Sequence, residues 1–146
     1  MKQPGVLLVL ITFVVGVSFV VGSEQYKNGT MQTTTLTGLN ETSSLGDPDG
    51  VGMLKFTVKA DEGKFCYDLN VSTISDPTSA TLNVGARGIS GAVLTTLKTP
   101  TQGSSADCVT LDADRMADIV RNPGSYYVNV LNAEFPEGAI RGQLGK

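Results

Sequence analysis

Apolar and polar residues alternate over two neighbouring stretches in the middle of the chain, Val51–Lys59 and Lys64–Val71. A period of two is the pattern of a β-strand with one buried face. Ala60-Asp-Glu-Gly63 between them has the composition of a tight turn, so we predict a hairpin. The apolar residues of its second strand share one face: Phe65, Tyr67, Leu69 and Val71. Cys66 falls on the opposite face.

Further short strands are predicted along the chain, and the clearest of them, Tyr126–Leu131, is rich in β-branched and aromatic residues. They are Met31–Leu39, Ala80–Val84, Ala92–Leu97, Tyr126–Leu131 and Ala139–Leu144. The last two flank the turn sequence Phe135-Pro-Glu-Gly138, and we call the whole unit, Tyr126–Leu144, the closing hairpin. Two segments are predicted to be loops: Gly85–Gly91, which we call the glycine loop, and the polar stretch Thr99–Asp107.

One helix is predicted, over Ala113–Arg121. Asp112 can accept hydrogen bonds at its N-terminus, apolar residues recur at helical spacing, and Asn122-Pro-Gly124 ends it. A single helix among many short strands indicates an all-β fold, which we expect to be an antiparallel β-sandwich or Greek-key barrel with one short helix.

An apolar stretch near the start of the chain predicts export. Val6–Val21 follows a start whose only charged side chain is Lys2, and small residues near Gly22 suit a cleavage point. We expect a signal peptide at residues 1–22, a Thr- and Asn-rich lead-in with one strand at 23–45, and the main β-domain at 46–146. The alternative is an uncleaved anchor that tethers the protein to a membrane, although the stretch is shorter than the usual span of ~20 residues. The protein is therefore expected to be secreted and extracellular, or held in the cell envelope.

Charge and composition argue against two classes of function. After residue 22 the chain has 10 basic residues (11 less Lys2) and 14 acidic ones, a net charge of −4, with no basic cluster. It lacks the electrostatic footprint of a nucleic-acid-binding protein. Two cysteines and no histidine are too few for a Cys/His zinc site, and no imidazole is present to activate a serine nucleophile. We predict no catalytic residues, no metal site and no cofactor.

Export also bears on covalent modification. An even number of cysteines in an exported chain favours a disulfide between Cys66 and Cys108, which would stabilise the fold by about 4 kcal/mol. Two free thiols in a reducing compartment are the alternative. Asn28, Asn40 and Asn70 each begin an Asn-x-Ser/Thr sequence and are candidate N-glycosylation sites, provided that the host glycosylates exported proteins.

Two loops resemble binding loops but fit simpler roles better. Asp47-Pro-Asp-Gly50 begins like a calcium loop, yet the residues after it supply no further carboxylates, so we predict a tight turn with Gly50 at positive φ. The glycine loop lacks the Lys-Ser or Lys-Thr of a phosphate loop and does not open a helix. It is predicted to be a shaped connection between strands.

Two residues of the closing hairpin are candidates for contact with a partner. Arg141 could bind a carboxylate of the partner, or it could form an ion pair within the hairpin, and we favour the ion pair. Tyr126 and Tyr127 face opposite sides of their strand, so one is predicted in the core and one at the rim. Tyr127 is the candidate interaction residue.

Six segments of the chain resemble the CHRD domain, the module that is repeated in chordin and occurs alone in many exported microbial proteins. In order they are Gly46-Asp-Pro-Asp-Gly50, Phe65-Cys-Tyr67, Gly85-Ala-Arg-Gly-Ile-Ser-Gly91, Asp118-Ile-Val-Arg-Asn-Pro-Gly124, Tyr126-Tyr-Val-Asn-Val130 and Phe135-Pro-Glu-Gly-Ala-Ile-Arg-Gly-Gln-Leu144. The closing hairpin is the most specific of these. The resemblance covers most of the chain after residue 45 and implies an extracellular module.

The resemblance also identifies three substituted positions. CHRD sequences usually carry Ala-His-Ile-His before the glycine loop and a His after Tyr-Tyr-Val-Asn-Val. Here Thr81, Asn83 and Leu131 occupy those places. In relatives, three imidazoles from neighbouring strands would suit a metal, as in the similar arrangement of copper–zinc superoxide dismutases. This chain supplies none of them.

Together these observations predict an exported, non-enzymatic CHRD-type binding or structural module whose partner is an unknown extracellular protein or matrix ligand. One alternative is a metal-binding redox protein, which the absence of histidine disfavours. The other is a membrane-tethered component of an envelope or matrix.

Overall fold

A computed structural model of the protein describes residues 28–42 and 45–145, so the predicted signal peptide at 1–22 lies outside the described residues. Within that part, eight strands form one antiparallel sheet accompanied by one α-helix, which confirms the predicted all-β fold. The elements are β1 Met31–Thr37, β2 Val51–Lys59, β3 Lys64–Ser72, β4 Pro77–Val84, β5 Val93–Leu97, β6 Ser104–Thr110, α1 Ala113–Arg121, β7 Tyr126–Asn132 and β8 Ile140–Gln143.

The strands are ordered β5-β4-β7-β8-β1-β2-β3-β6 across the sheet. The closing hairpin therefore lies at its centre, because β8 pairs with both β7 and β1. The sheet curls until its two edges approach each other. There the backbone N–H of Lys98, just after β5, donates to the hydroxyl of Tyr67 in β3 at 2.7 Å. The result is a nearly closed barrel.

Most predicted elements are present, and one prediction was wrong. The second strand and the helix have the predicted bounds, Val51–Lys59 and Ala113–Arg121. The polar stretch Thr99–Asp107 was expected to be a loop, but β6 begins within it at Ser104 and pairs with β3 along its whole length. An edge strand that presents mainly polar side chains has little hydrophobic periodicity to reveal it.

The hydrophobic core fills the inside of the barrel. Its largest fully buried apolar side chains come from five strands: Leu36, Leu54, Phe56, Phe65, Leu69, Leu82 and Ile140. The rings of Phe56 and Phe65 stack with centroids 5.4 Å apart. The helix α1 adds Met116 and Ile119 to this core. No helix in the described residues is long and apolar enough to cross a membrane.

Tyr126 fastens the helix to the closing hairpin. Its hydroxyl donates to the carboxylate of Asp118 and accepts a hydrogen bond from Arg115 Nη1 at 3.2 Å. The bond from Tyr126 is the largest cause that holds the pKa of Asp118 below its usual value. At the start of α1, Asp112 accepts from the backbone N–H of Arg115 at 2.8 Å, which is the predicted N-cap.

Cys66 and Cys108 are cross-strand partners in β3 and β6, and their sulfur atoms are 2.08 Å apart. This is the geometry of the predicted disulfide, and it ties the edge strand β6 to the sheet. The tight turn at Asp47 also forms, with the Asp47 carboxylate accepting from the N–H of Gly50 at 3.1 Å. The prediction of positive φ at Gly50 was wrong. A Cβ there would lie 2.6 Å from the side chain of Ile74, so glycine is needed for close packing.

Candidate functional site

One face of the central strands is polar and yet buried. Along β4, β7 and β8 the apolar side chains point into the core, and the alternate positions carry polar side chains. In the strand pairing, Thr81 lies opposite Asn129 and Asn129 opposite Arg141, while Asn83 and Gln143 flank Tyr127 in the next row. These six side chains are all less than a tenth exposed. Because buried polar groups need partners, this face requires something to cover it.

Arg141 is the centre of that face. It is 2% exposed, and its guanidinium stacks 3.5 Å from the centre of the Tyr127 ring. Its Nη1 donates to the carbonyl of Ile89 at 3.0 Å and to the hydroxyl of Thr42 at 3.2 Å. Its Nη2 donates to the carbonyl of Ala86 at 2.9 Å. The guanidinium therefore holds the glycine loop down over the sheet.

Gln143 and Tyr127 hold the two ends of the same loop. The Gln143 amide nitrogen donates to the carbonyl of Gly85 at 2.6 Å, and its oxygen accepts from Arg141 Nη2 at 3.1 Å. The Tyr127 hydroxyl accepts from the N–H of Gly91 at 3.1 Å. A Cβ on Gly91 would lie 1.6 Å from the carbonyl oxygen of Val84, so the loop closes only with glycine there.

The roles predicted for Arg141 and Tyr127 can be compared with these contacts. Tyr126 and Tyr127 do face opposite sides of β7, but Tyr127 is 3% exposed, so its expected place at the rim was wrong. No carboxylate of the described residues forms a salt bridge with Arg141, whose bonds go to carbonyl, hydroxyl and amide oxygens. Both side chains order the closing hairpin and the glycine loop. Their direct contact with a partner stays a prediction.

The three positions that carry histidine in CHRD relatives meet at one cavity. Thr81, Asn83 and Leu131 all line a cavity of about 190 Å³ beside the glycine loop. We call this the acceptor cavity. Its other lining residues are Glu41, Ser90, Gly91, Val93, Tyr127, Asn129 and Glu137. Residues far apart in sequence are thus brought together by the pairing of β4 with β7.

Three residues that line the acceptor cavity each carry a buried oxygen atom that lacks a hydrogen-bond partner among the described residues. These atoms are Oδ1 of Asn83, Oδ1 of Asn129 and Oε1 of Glu41, all three buried. The amide nitrogen of Asn129 donates to the carbonyl of Glu137 at 3.4 Å, which fixes the other end of that amide group. An unsatisfied buried acceptor costs about 1–3 kcal/mol, so these three oxygens lower the stability of the fold beside the cavity.

Glu41 enters the acceptor cavity from the lead-in segment, over the backbone of Gly138. A Cβ on Gly138 would lie 2.4–2.6 Å from the carboxyl atoms of Glu41, so a side chain at position 138 would displace it. Burial raises the pKa of Glu41 to about 7, and the charge of Arg141 only partly offsets that effect. At neutral pH this carboxyl is therefore close to its midpoint of ionisation.

The residues at the three substituted positions do not fit the metal site that the resemblance implies for relatives. A hydroxyl, an amide and an isobutyl group replace three imidazoles. Across the described ranges, no three His, Cys, Asp or Glu side chains cluster closely enough to hold a metal ion. We therefore assign no metal chemistry of the histidine type to this cavity.

The candidate glycosylation sites differ in their surroundings. Asn28 and Asn70 are exposed, and each amide nitrogen donates to an aspartate, Asp61 and Asp68 respectively. Asn40 is half-buried, and its amide nitrogen donates to the carbonyl of Arg141 at 3.1 Å. Glycosylation of any of the three stays a prediction.

Sequence reasoning did not identify Glu41, Asn129 or Gln143 as site residues. A signal existed for two of them. In β7 and β8 the polar side chains alternate with apolar ones, which places Asn129 and Gln143 on the face of Tyr127 and Arg141. Glu41 has no such signal, because it lies in an irregular segment after β1 and reaches the cavity only through the tertiary fold.

Comparison with known proteins bears on the whole chain. A family model described as the CHRD domain matches residues 32–144, from the second residue of β1 to just beyond the end of β8. No curated protein and no solved structure matched the chain.

Proposed function

The chain belongs to the CHRD family, and on that premise we propose that it is an exported, non-enzymatic module that binds an extracellular protein or matrix ligand. CHRD domains are typically extracellular and generally non-enzymatic. The disulfide at Cys66–Cys108 is compatible with an oxidising compartment. The proposal places the binding site at the acceptor cavity and the adjoining surface of the glycine loop.

The observation that carries this proposal is the cavity beside the glycine loop, whose lining includes three residues that each keep an unpaired buried oxygen. Folding alone would favour apolar side chains at Asn83 and Asn129, because unpaired buried amide oxygens lower the stability. The glycine loop beside them is held by Arg141, Gln143 and Tyr127, so the cavity is preformed. A preformed cavity suits ligand binding, since little conformational entropy is lost when the ligand enters.

A capture experiment with two matched sets of variants tests the proposal. The disulfide-bonded protein is immobilised, incubated with extracellular material of its native host, and the retained components are quantified by mass spectrometry. Glu137→Ala and Val93→Ser alter the mouth of the acceptor cavity, and Lys55→Ala and Asp68→Ala are exposed controls on β2 and β3. We expect the cavity variants to lose a component that the wild type and the controls retain. Equal retention by all variants would exclude binding at this site.

Two other functions are distinguished by separate measurements. A metal-dependent redox protein would contain stoichiometric copper or zinc when purified, whereas the replacement of all three family histidines leads us to expect none. A membrane-tethered envelope or matrix component would retain its first 22 residues, which mass spectrometry of the N-terminus would detect. We propose the secreted form, with the segment removed.

A further inference from the structure

We propose that a second surface of the domain, distinct from the acceptor cavity, binds a segment of another protein in which an apolar side chain is flanked by lysine or arginine. The surface is a groove of about 400 Å³ between the lead-in segment and the turn of the closing hairpin. We call it the leucine groove, and its apolar lining consists of Leu39, Leu45, Pro48 and Phe135. This inference goes beyond the proposed function, which places binding at the acceptor cavity.

The apolar side chains of the leucine groove are unusually exposed. Leu39 is 87% exposed and Leu45 is 92% exposed, more than any other large apolar side chain of the described residues, and both line the same groove. Single exposed apolar residues are common, but neighbouring ones with polar residues around them mark an interaction site. Neither leucine contributes to the core, so burial on folding does not explain why these residues are apolar.

Close backbone contacts give the groove a fixed shape. A Cβ on Gly38 would lie 1.8 Å from the carbonyl oxygen of Asp47, and a Cβ on Gly46 would lie 2.6 Å from the carbonyl oxygen of Gly38. The lead-in segment and the tight turn at Asp47 are therefore packed backbone to backbone. On the other side of the groove, the N–H of Phe135 donates to Oδ1 of Asn132 at 2.8 Å. A partner that enters a preformed groove loses little affinity to ordering it.

The charge around the groove determines the kind of partner that fits it. Residues 38–50 and 132–139, the two segments that build the groove, contain five acidic residues and no lysine or arginine. No salt bridge among the described residues involves any of these acids. Asp49, Glu134 and Glu137 are exposed. An apolar groove with a negative rim favours an apolar anchor that carries positive charges on either side.

Other occupants of the leucine groove fit less well. A second copy of this chain in a twofold contact would bring two identical acidic rims together, and like charges across an interface repel. The negatively charged surface of a membrane would be repelled by the same rim. An uncharged apolar ligand would leave the rim unmatched. A basic segment with an apolar anchor satisfies both the groove and its rim.

The test is titration of the disulfide-bonded protein into fluorescently labelled peptides, followed by anisotropy. The probe is a hexapeptide with Leu-Phe at its centre and two lysines on each side. One comparison peptide has Ser-Ser at the centre, and the other has glutamates in place of the lysines. We expect saturable binding of the probe and binding about tenfold weaker or less for both comparison peptides. Raising sodium chloride from ~20 mM to ~300 mM should weaken binding of the probe, because salt screens exposed charges.

Four variants localise the binding. Leu39→Ser and Leu45→Ser should each weaken binding of the probe about fivefold or more, whereas Met31→Ser, 67% exposed at the far end of β1, should leave it unchanged. Glu134→Gln should weaken binding and reduce its dependence on salt. Asp114→Asn, which removes one exposed acidic charge on α1, should do neither. All five positions are exposed, so we expect unchanged circular dichroism spectra, which would show that folded proteins are being compared.

The remaining outcomes would overturn the inference. Equal binding by Leu39→Ser and Met31→Ser would do so, as would absence of binding or a preference for either comparison peptide. A dimer in sedimentation, or binding to phosphatidylserine vesicles, that Leu45→Ser abolishes would assign the groove to a second copy or to a lipid surface instead.

The acceptor cavity is tested separately by Val93→Ser, which lines that cavity and not the leucine groove. This variant should bind the probe as the wild type does. If the cavity variants lose a captured component while the probe does not bind, the leucine-groove inference fails and the proposed function stands. If the cavity variants lose nothing while probe binding depends on Leu39, the proposed function fails and the leucine groove stands.

Discussion

Replacing Glu41 by glutamine should stabilise the protein, and the gain should depend on pH. Glutamine has nearly the same shape but carries no charge, so the substitution removes the energetic cost of burying a carboxylate. Burial raises the pKa of Glu41 from 4.5 to about 7, which means that the folded protein binds this proton more tightly than the unfolded chain does. Wild-type stability is therefore highest below the unfolded pKa and falls as the pH rises towards 7.

The size of the effect follows from the two pKa values. A change from 4.5 to about 7 corresponds to about 3 kcal/mol, at roughly 1.4 kcal/mol for each tenfold change in proton affinity. Glu41 is only half-buried, and solvent screening reduces this to about 2 kcal/mol. The Glu41→Gln variant should match the wild type near pH 4 and exceed it by about 2 kcal/mol at pH 8, where Glu41 of the folded wild type is ionised.

Urea unfolding at half-unit intervals from pH 4 to pH 8, followed by circular dichroism, measures this difference. Glu134→Gln is the matched control: Glu134 is exposed in the closing hairpin, and this substitution should change the stability by less than ~0.5 kcal/mol throughout. A Glu41→Gln gain that is constant across the range, or a variant less stable than the wild type at pH 8, would refute the assignment of an uncompensated buried carboxylate.

Three other substitutions test the rest of the site and the fold. Arg141→Lys keeps the charge but loses the planar guanidinium that donates to several oxygens. It should therefore lower the free energy of unfolding by about 2–3 kcal/mol and speed hydrogen exchange in the glycine loop. Unchanged exchange in that loop would contradict the anchoring role of Arg141. Asp118→Asn should destabilise the protein at pH 7 and have little effect near pH 2. The pKa of Asp118 is lowered in the folded protein, so the stability that its carboxylate contributes is lost as the pH falls through that folded pKa. Acid unfolding curves in which the destabilisation by Asp118→Asn does not vary with pH would contradict this. Replacing Thr81, Asn83 and Leu131 together by histidine should create a zinc site, so that added zinc raises the melting temperature of the triple variant. A folded triple variant whose melting temperature does not change with zinc would show that the three positions do not converge.

The fold could be predicted from sequence where hydrophobic periodicity was strong. Val51–Lys59 alternates cleanly because β2 buries one face in the core, and its predicted bounds are correct. Strand β6 was missed because only a minority of its side chains face inward, so its composition is that of a loop. The disulfide could have revealed it, since the partner of a cysteine on a strand often lies on the adjacent strand, as Cys108 does opposite Cys66.

The acceptor cavity was predictable only in part. The CHRD resemblance grouped Thr81, Asn83 and Leu131 as one site, and the structure brings them to one cavity. It gave no reason to look at Glu41, whose position depends on the close approach of its carboxyl group to Gly138. The burial of Tyr127 was also missed, because strand alternation gives the face on which a side chain lies but not whether a loop covers that face.

The framework of the site does not depend on the residues at positions 81, 83 and 131. In this chain the bonds that hold the glycine loop come from Arg141, Gln143 and Tyr127, none of which is one of the substituted positions. The loop is therefore anchored to β7 and β8 by protein groups alone, and the residues at positions 81, 83 and 131 can change without releasing it. A cavity whose frame is independent of its lining can exchange imidazoles for amide and hydroxyl groups while the fold persists.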